Sequence, residues 1–250
     1  VVWNLDGTSA VTYGTGDLSQ PHGMALDGLG YLYVADTNRH RVLKYDLSTG
    51  AAAATFGAGQ GTWPGKLYGP EGIAFDAENR LWVAENGNQR FSVFATDGSF
   101  VKAVTVVGAA LSDPTQLRFK DGLIWELDRG TGRLQVFDVE GNLLAAYGGT
   151  GSGNGQVRDC RGFEFDGNDG FFMADANNNR VVRYGVCGSV GTPAPTATGS
   201  RTPTPTATVT PTVSCEAIDY TYDENGNLTG ETRCGDLTSY TYDSDNRLKS

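Results

Sequence analysis

The sequence predicts an all-β chain built from the blades of a β-propeller. Two observations carry the prediction: an excess of glycine and a fourfold internal repeat. Glycine supplies 35 of 250 residues, about twice the ~7% of an average protein. A helical bundle would not carry so much, because each interior glycine costs about 1 kcal/mol relative to alanine. The glycines do not fall at every third position, which excludes a collagen helix. With 39% hydrophobic and 10% aromatic residues, wholesale disorder is excluded as well. The repeat units begin at Pro21, Pro70, Pro114 and Cys160, so successive starts lie 49, 44 and 46 residues apart. A period near this length, made of several short strands, is the mark of propeller blades.

Each unit reads as strand, Gly/Asp/Asn turn, strand, loop, strand. The first has Pro21–Asp27, Tyr31–Asp36 and Arg41–Tyr45; the second Pro70–Asp76, Leu81–Glu85 and Arg90–Phe94. The third has Pro114–Lys120, Leu123–Asp128 and Arg133–Phe137; the fourth Cys160–Asp166, Phe171–Asp175 and Arg180–Tyr184. A fourth strand follows in the first three units, at Ala52–Phe56, Phe100–Val106 and Leu143–Tyr147. Residues 1–13 match the third and fourth strands of an earlier unit, with Trp3 at the position of Tyr45 and Phe94. Three blades are therefore expected complete and two partial. Either the arc is open because upstream blades are missing, the reading preferred because bare blade edges are a liability that a native protein would close, or Ser9–Tyr13 supplies the last blade's outer strand. The glycine strings at 57–61 and 148–155 are blade connections; with no helix after them they are not phosphate cradles.

One relation recurs in all four units. An acid precedes an arginine by five positions: Asp36/Arg41, Glu85/Arg90, Asp128/Arg133 and Asp175/Arg180. Recurrence at matched positions points to structure rather than catalysis. The expectation is an ion pair that clamps the loop between the second and third strands, using the guanidinium's bidentate geometry.

The strings P-x-G-I-A-x-D, Y-V-A-D and N-x-R-V, nearly verbatim over Pro21–Val42, resemble the NHL repeat. The resemblance covers roughly residues 1–187 and implies a propeller that is usually six-bladed, here truncated. Gln116 and Lys120 depart from it in the third unit, and Cys160 in the fourth.

Residues 188–214 are rich in Thr and Pro, with Arg201 as their one charge. Such a run builds no core and favours extended, polyproline-like geometry. It is expected to be a disordered, semi-rigid linker or an O-glycosylated stalk, reaching up to about 80 Å at ~3.1 Å per residue. Beyond it, Tyr220-Thr-Tyr-Asp-Glu-Asn-Gly-Asn-Leu228 recurs as Tyr240-Thr-Tyr-Asp-Ser-Asp-Asn-Arg-Leu248. Tyr220 and Tyr222 share a strand face, and Asn225-Gly226 is a hairpin turn signal. A turn centred between Glu224 and Asn225 sets Cys215 opposite Cys234, a candidate disulfide. This pattern resembles the YD repeat of Rhs proteins, carried by Tyr220, Tyr222, Asp223, Gly226, Tyr240, Tyr242 and Asp243. The expected domains are thus a propeller (1–187), a linker (188–214) and the start of a YD array (215–250). Because the chain opens in mid-strand at Val1 and stops in mid-repeat at Ser250, it reads as a window on a longer protein.

The chemistry-bearing residues are sparse. The net charge is −10; residues 1–187 hold 15 basic and 21 acidic residues, or −6, which argues against a nucleic-acid partner. His22 and His40 are the only histidines, and no Ser or Cys lies in a nucleophile motif. The four cysteines, Cys160, Cys187, Cys215 and Cys234, lack zinc spacing. Asp166–Gly170 is an acidic turn with oxygen ligands for calcium but without the EF-hand pattern, so an ordinary turn is expected. Glu126 and Glu164 stand where sister units have Val83, Ala74 or Ala25, and are read as structural. No cofactor and no metal are implied. The apolar run Val101–Leu111 is too short and too interrupted to span a membrane.

The expected function is therefore non-catalytic. The chain reads as a binding and scaffold segment of a large exported or cell-surface protein, as the resemblance to Rhs-type toxins and teneurin-like proteins implies. The propeller would offer its loop face to a protein or carbohydrate ligand, and a YD shell would be its partner in cis. The alternative is an enzyme of the lyase or lactonase type, whose metal ligands would lie in further blades. RNA binding, known for some NHL propellers, is opposed by the charge.

Overall fold

The computed structural model describes residues 2–3, 9–57, 59–167, 170–185, 217–222, 228–233 and 236–239. Among them β1 (Val2–Trp3) and β2 (Ser9–Val11) pair with one another as a two-stranded sheet. Blade one is β3 (Pro21–Leu26), β4 (Tyr31–Asp36), β5 (Arg41–Asp46) and β6 (Ala52–Phe56). Blade two is β7 (Pro70–Phe75), β8 (Leu81–Glu85), β9 (Arg90–Phe94) and β10 (Phe100–Thr105). Blade three is β11 (Pro114–Lys120), β12 (Leu123–Asp128), β13 (Arg133–Phe137) and β14 (Leu143–Gly148). Blade four is β15 (Cys160–Phe165), β16 (Phe171–Asp175) and β17 (Arg180–Tyr184), and its sheet continues through β18 (Ala217–Tyr222), β19 (Leu228–Arg233) and β20 (Asp236–Ser239).

The last blade is not partial, as the sequence led us to expect. Its outer strand is β18, from the YD region, in register Val182↔Asp219, Arg183↔Ile218 and Tyr184↔Ala217. Ser9–Val11 does not close that blade, because it is already paired with β1. The described residues thus form four full blades. The β18–β19 hairpin pairs Asp219 with Thr232 and Tyr220 with Glu231. Its centre lies one residue further along than the expectation placed it. Tyr222 stands opposite Leu228 after a register shift. Cys187, Cys215, Asp223, Gly226, Cys234, Tyr240, Tyr242 and Asp243 lie outside the described residues, as does the 188–214 segment.

The sheets stack face to face, and the core lies between blades. Tyr33, Val42, Phe56, Ile73, Leu81 and Phe94 join blades one and two. Trp82, Phe91, Leu117, Ile124 and Phe137 join two and three. Leu127, Leu134, Phe163, Met173 and Tyr184 join three and four. The alternation of strand side chains supplies both faces of each inner sheet, so β8 is buried along its whole length. Each large side chain buried this way contributes about 1.5–3 kcal/mol.

The first strand of each blade lines the axis, and its motif glycine explains how closely these strands approach. A Cβ on Gly23 would collide with the carbonyl of Glu71, and one on Gly72 would sit 2.8 Å from the carbonyl of Pro114. Blade three has Gln116 at this position. Its amide spans the wider gap to β15, accepting from the Phe163 N–H at 2.9 Å and donating to the Phe163 carbonyl at 3.2 Å.

Candidate functional site at the propeller axis

The residue after the opening Pro or Cys of each unit stands at the axial mouth: His22, Glu71, Thr115 and Arg161. His22 Nδ1 lies 3.7 Å from Glu71 Oε2, an oxygen with no hydrogen-bond partner among the described residues. Asn86 donates to the other oxygen at 3.1 Å. Burial and the neighbouring Asp113 carboxylate push the Glu71 carboxyl up to about 8, so it is largely protonated at neutral pH. Arg129 reaches Asp113 at 2.6 Å and Asp159 at 3.9 Å, and Arg161 pairs with Asp159 at 2.6 Å. The two arginines and two aspartates cancel, leaving a polar mouth without net charge from these four groups. Beside it a cavity of about 230 Å³ is lined by His22, Thr115, Arg129, Cys160 and Arg161. A wider hollow of about 490 Å³ opens between β3, β11 and the face of blade four turned away from blade three, where Arg118 and the exposed Glu164 lie 3.9 Å apart.

This cluster is absent from the sequence-based candidates, although aligning the x of P-x-G across the units is enough to find it. No single unit carries a reactive pair; the chemistry appears only when four blades converge.

Three of the four expected acid–arginine ion pairs form, and they fasten more than the expected loop. Asp36, Glu85 and Asp175 are fully buried and receive the Arg41, Arg90 and Arg180 Nε at 2.8, 2.7 and 2.8 Å. The partners each pair recruits lie in the connection leading into the same blade. Asp36 accepts from the Ser19 N–H, Glu85 from Tyr68 and Asp175 from Arg158, at 2.6, 2.8 and 2.6 Å. Arg41 donates to the Asp17 carbonyl, Arg90 to Lys66 and Arg180 to Gln156, at 2.7, 2.9 and 2.7 Å. The pairs therefore fasten the glycine-rich arcs between blades, not only the loop between second and third strands. The residue before each arginine, His40, Gln89 or Asn179, turns left-handed at φ 53° to bring the guanidinium round.

Blade three is the exception. Asp128 is fully buried and takes the N–H of Ser112 at 2.6 Å and of Thr131 at 2.9 Å, but it makes no ion pair with Arg133, which is exposed. The connection into this blade, Val106 to Asp113, lacks the long arc over which Arg90 and Arg180 fold. Arg129 takes over, bonding Asp113 instead.

The remaining candidates are spent on structure. His40 Nδ1 accepts from the Gly69 N–H at 3.1 Å. Asp166 accepts from Gly170 at 3.1 Å and pairs with Arg183, while residues 168–169 of that turn lie outside the described residues. Glu126 is fully buried opposite Gln135, which donates to it at 2.9 Å; burial and Asp128 push its carboxyl well above the usual glutamate range. Cys160 is a buried free thiol pushed up to about 12 by burial. No group of three or more His, Cys, Asp and Glu among the described residues is placed to hold a metal ion.

Residues 2–120 match the family model of the SMP-30/Gluconolactonase/LRE-like region, and residues 222–250 match that of the RHS Repeat. The fold is a β-propeller, and the match to the RHS Repeat model lies after it in the chain. No curated protein matches the sequence. Among solved structures, a catalytically inactive virginiamycin B lyase from Staphylococcus aureus with Quinupristin is similar at 14% identity and TM-score 0.52, over 99% of this chain and 74% of that one. A chain of the Nidogen/Laminin complex is similar at 18% identity and TM-score 0.53, over 72% and 65%. Hydrazine synthase of Kuenenia stuttgartiensis is matched at 14% identity and TM-score 0.49 over 72% of this chain, which spans only 48% of that chain. At these identities the likeness concerns the fold alone.

Proposed function

We propose that this chain is a binding and scaffold segment of a larger Rhs-type protein, exported or displayed at the cell surface. Its propeller would be a recognition platform for a protein or carbohydrate ligand. The observation that carries this reading is how the four units differ from one another. They agree at the buried acids and, in three of four, at the arginine clamps. They diverge to His22, Glu71, Thr115 and Arg161 at the axial mouth. Scaffold positions repeat, and the positions facing a ligand do not. A mouth whose ion pairs cancel suits an uncharged or mixed polar ligand such as a glycan or peptide better than a phosphate. The test is a glycan and peptide binding screen with the whole chain, repeated with His22→Ala and Arg161→Ala. Loss of binding in both variants at unchanged Tm supports the reading; binding that survives both moves the platform elsewhere.

A second reading is favoured by the His22–Glu71 contact, an imidazole beside a carboxyl that titrates near neutrality, which is the composition of an acid–base pair. Turnover of lactone or peptidylglycine substrates that disappears in Glu71→Gln would establish it over the first.

A further inference from the structure

The connections into blades one, two and four share one turn. Its backbone bond runs from the Asp17 N–H to the Gly14 carbonyl, from Lys66 to Trp63 and from Gln156 to Gly153. The arcs of blades two and four match further. The Gly61 N–H donates to the Leu67 carbonyl as the Gly151 N–H does to that of Val157. Asn88 and Asn178 donate to the carbonyls of Gly61 and Gly151. Trp63 therefore stands in the place of Gly14 and Gly153. The turn needs no side chain there, yet blade two carries an indole that is 74% exposed. Five residues on, Tyr68 stands where the other connections have Ser19, Ser112 and Arg158, each giving its N–H to a buried acid. Its ring is 40% exposed, lies against Gly87 and meets His40 edge-on at 5.2 Å. Asn86 ties this arc to the axial mouth: its N–H bonds the Gly69 carbonyl at 3.0 Å while its side chain holds Glu71.

We propose that Trp63 and Tyr68 form an aromatic subsite for a neutral sugar, leading outward from the mouth along the entry arc of blade two. This rests on the platform reading above and narrows its ligand to carbohydrate. The fold uses neither ring to build the arc, since glycine and serine serve at the equivalent positions. Both rings are held in place at little entropic cost, Tyr68 by Gly87 and His40, Trp63 by its short two-torsion side chain. A protein hot spot needs a surround of apolar contacts that excludes water. Here Thr62, Pro64, Gly65 and Lys66 surround the rings, and Leu67, the one aliphatic residue of the stretch, is fully buried. Flat aromatic faces set among polar groups suit a pyranose, whose C–H face stacks on the ring while its hydroxyls stay hydrogen-bonded. The balanced charges of the mouth favour a neutral sugar over an anionic one.

The test is titration of the whole chain with neutral cello-, chito- and galacto-oligosaccharides, read by calorimetry and tryptophan emission. Trp63→Gly and Tyr68→Ser install the residues that sister arcs carry, so Tm is expected to hold. Each is expected to weaken binding of the preferred oligosaccharide by about tenfold or more. Trp63→Gly is also expected to abolish the emission shift, and Trp63→Phe, which keeps a stacking face, to stay within about threefold of wild type. Failure of every oligosaccharide to bind, or binding within about threefold of wild type in Trp63→Gly, overturns the proposal. If that surviving binding is lost in His22→Ala and Arg161→Ala, the platform stands and only the aromatic subsite falls. If instead a peptide binds and no sugar does, the ligand class falls and the platform again stands.

Discussion

Gln116 of β11 holds Phe163 of β15 through both atoms of its side-chain amide, a two-point bond between first strands of neighbouring blades. It stands where blades one and two have Gly23 and Gly72, so the side chain replaces a close backbone approach with a bridge. Gln116→Ala is expected to cost about 1–3 kcal/mol, because it leaves the buried Phe163 N–H and carbonyl without that partner. Denaturant unfolding measures it. A change below about 0.5 kcal/mol, the usual surface value, would show that the bridge is dispensable.

The clamps predict a contrast between blades. Arg90→Ala strips the fully buried Glu85 of its cation and is expected to cost about 3–5 kcal/mol, as breaking a buried pair does. Arg133→Ala removes an exposed side chain that has no ion pair among the described residues and is expected to stay within about 0.5 kcal/mol. Thermal melts of the two variants side by side decide the matter; equal losses would mean the arginines act through something other than the pair.

Stability should depend on pH through Glu71. Its folded value, about 8, lies above the ordinary glutamate value of 4.5, so the folded state holds a proton that the unfolded state has released. The contribution is fully present below about 4.5 and falls as pH rises through 8. Glu71→Gln is expected to flatten this part of the profile and to gain relative to wild type at pH 9. Parallel profiles from pH 5 to 9 would contradict the assignment.

Cys160 is buried and its thiol is held far above the ordinary range, so the nucleophilic thiolate is scarce. Native protein treated with iodoacetamide at pH 8 should leave the Cys160 peptide unmodified, and denaturation should expose it. Mass spectrometry reads both. Rapid native labelling would mean that blade four opens locally.

Much of this was legible in the residues. Repetition of Pro, Gly, acid and Arg at fixed offsets announces blades, because each blade meets the same packing problem and solves it with the same side chains. Local turns were legible too, since Asp27, Asp76 and Asp138 accept N–H groups two to four residues on. The axial cluster was hidden, because its members come one from each unit and are far apart in sequence. The fate of Arg133 was hidden as well: its partner acid is in place, but whether an arginine can use it depends on the length of a connection that folds over it from the preceding blade.

The sequence by itself determined the repeat, the all-β class, the order of propeller and RHS repeat, and the candidates for the buried acids. These follow from short-range chemistry, from strand alternation, turn residues and recurrence, which a linear string preserves. Only the tertiary structure decided what the acid–arginine pairs fasten, which side chains meet at the axis, and that blade four takes its outer strand from β18. Those outcomes rest on contacts between segments distant in sequence. An unpaired strand edge fixes where its partner must lie but not which stretch of chain will fill it.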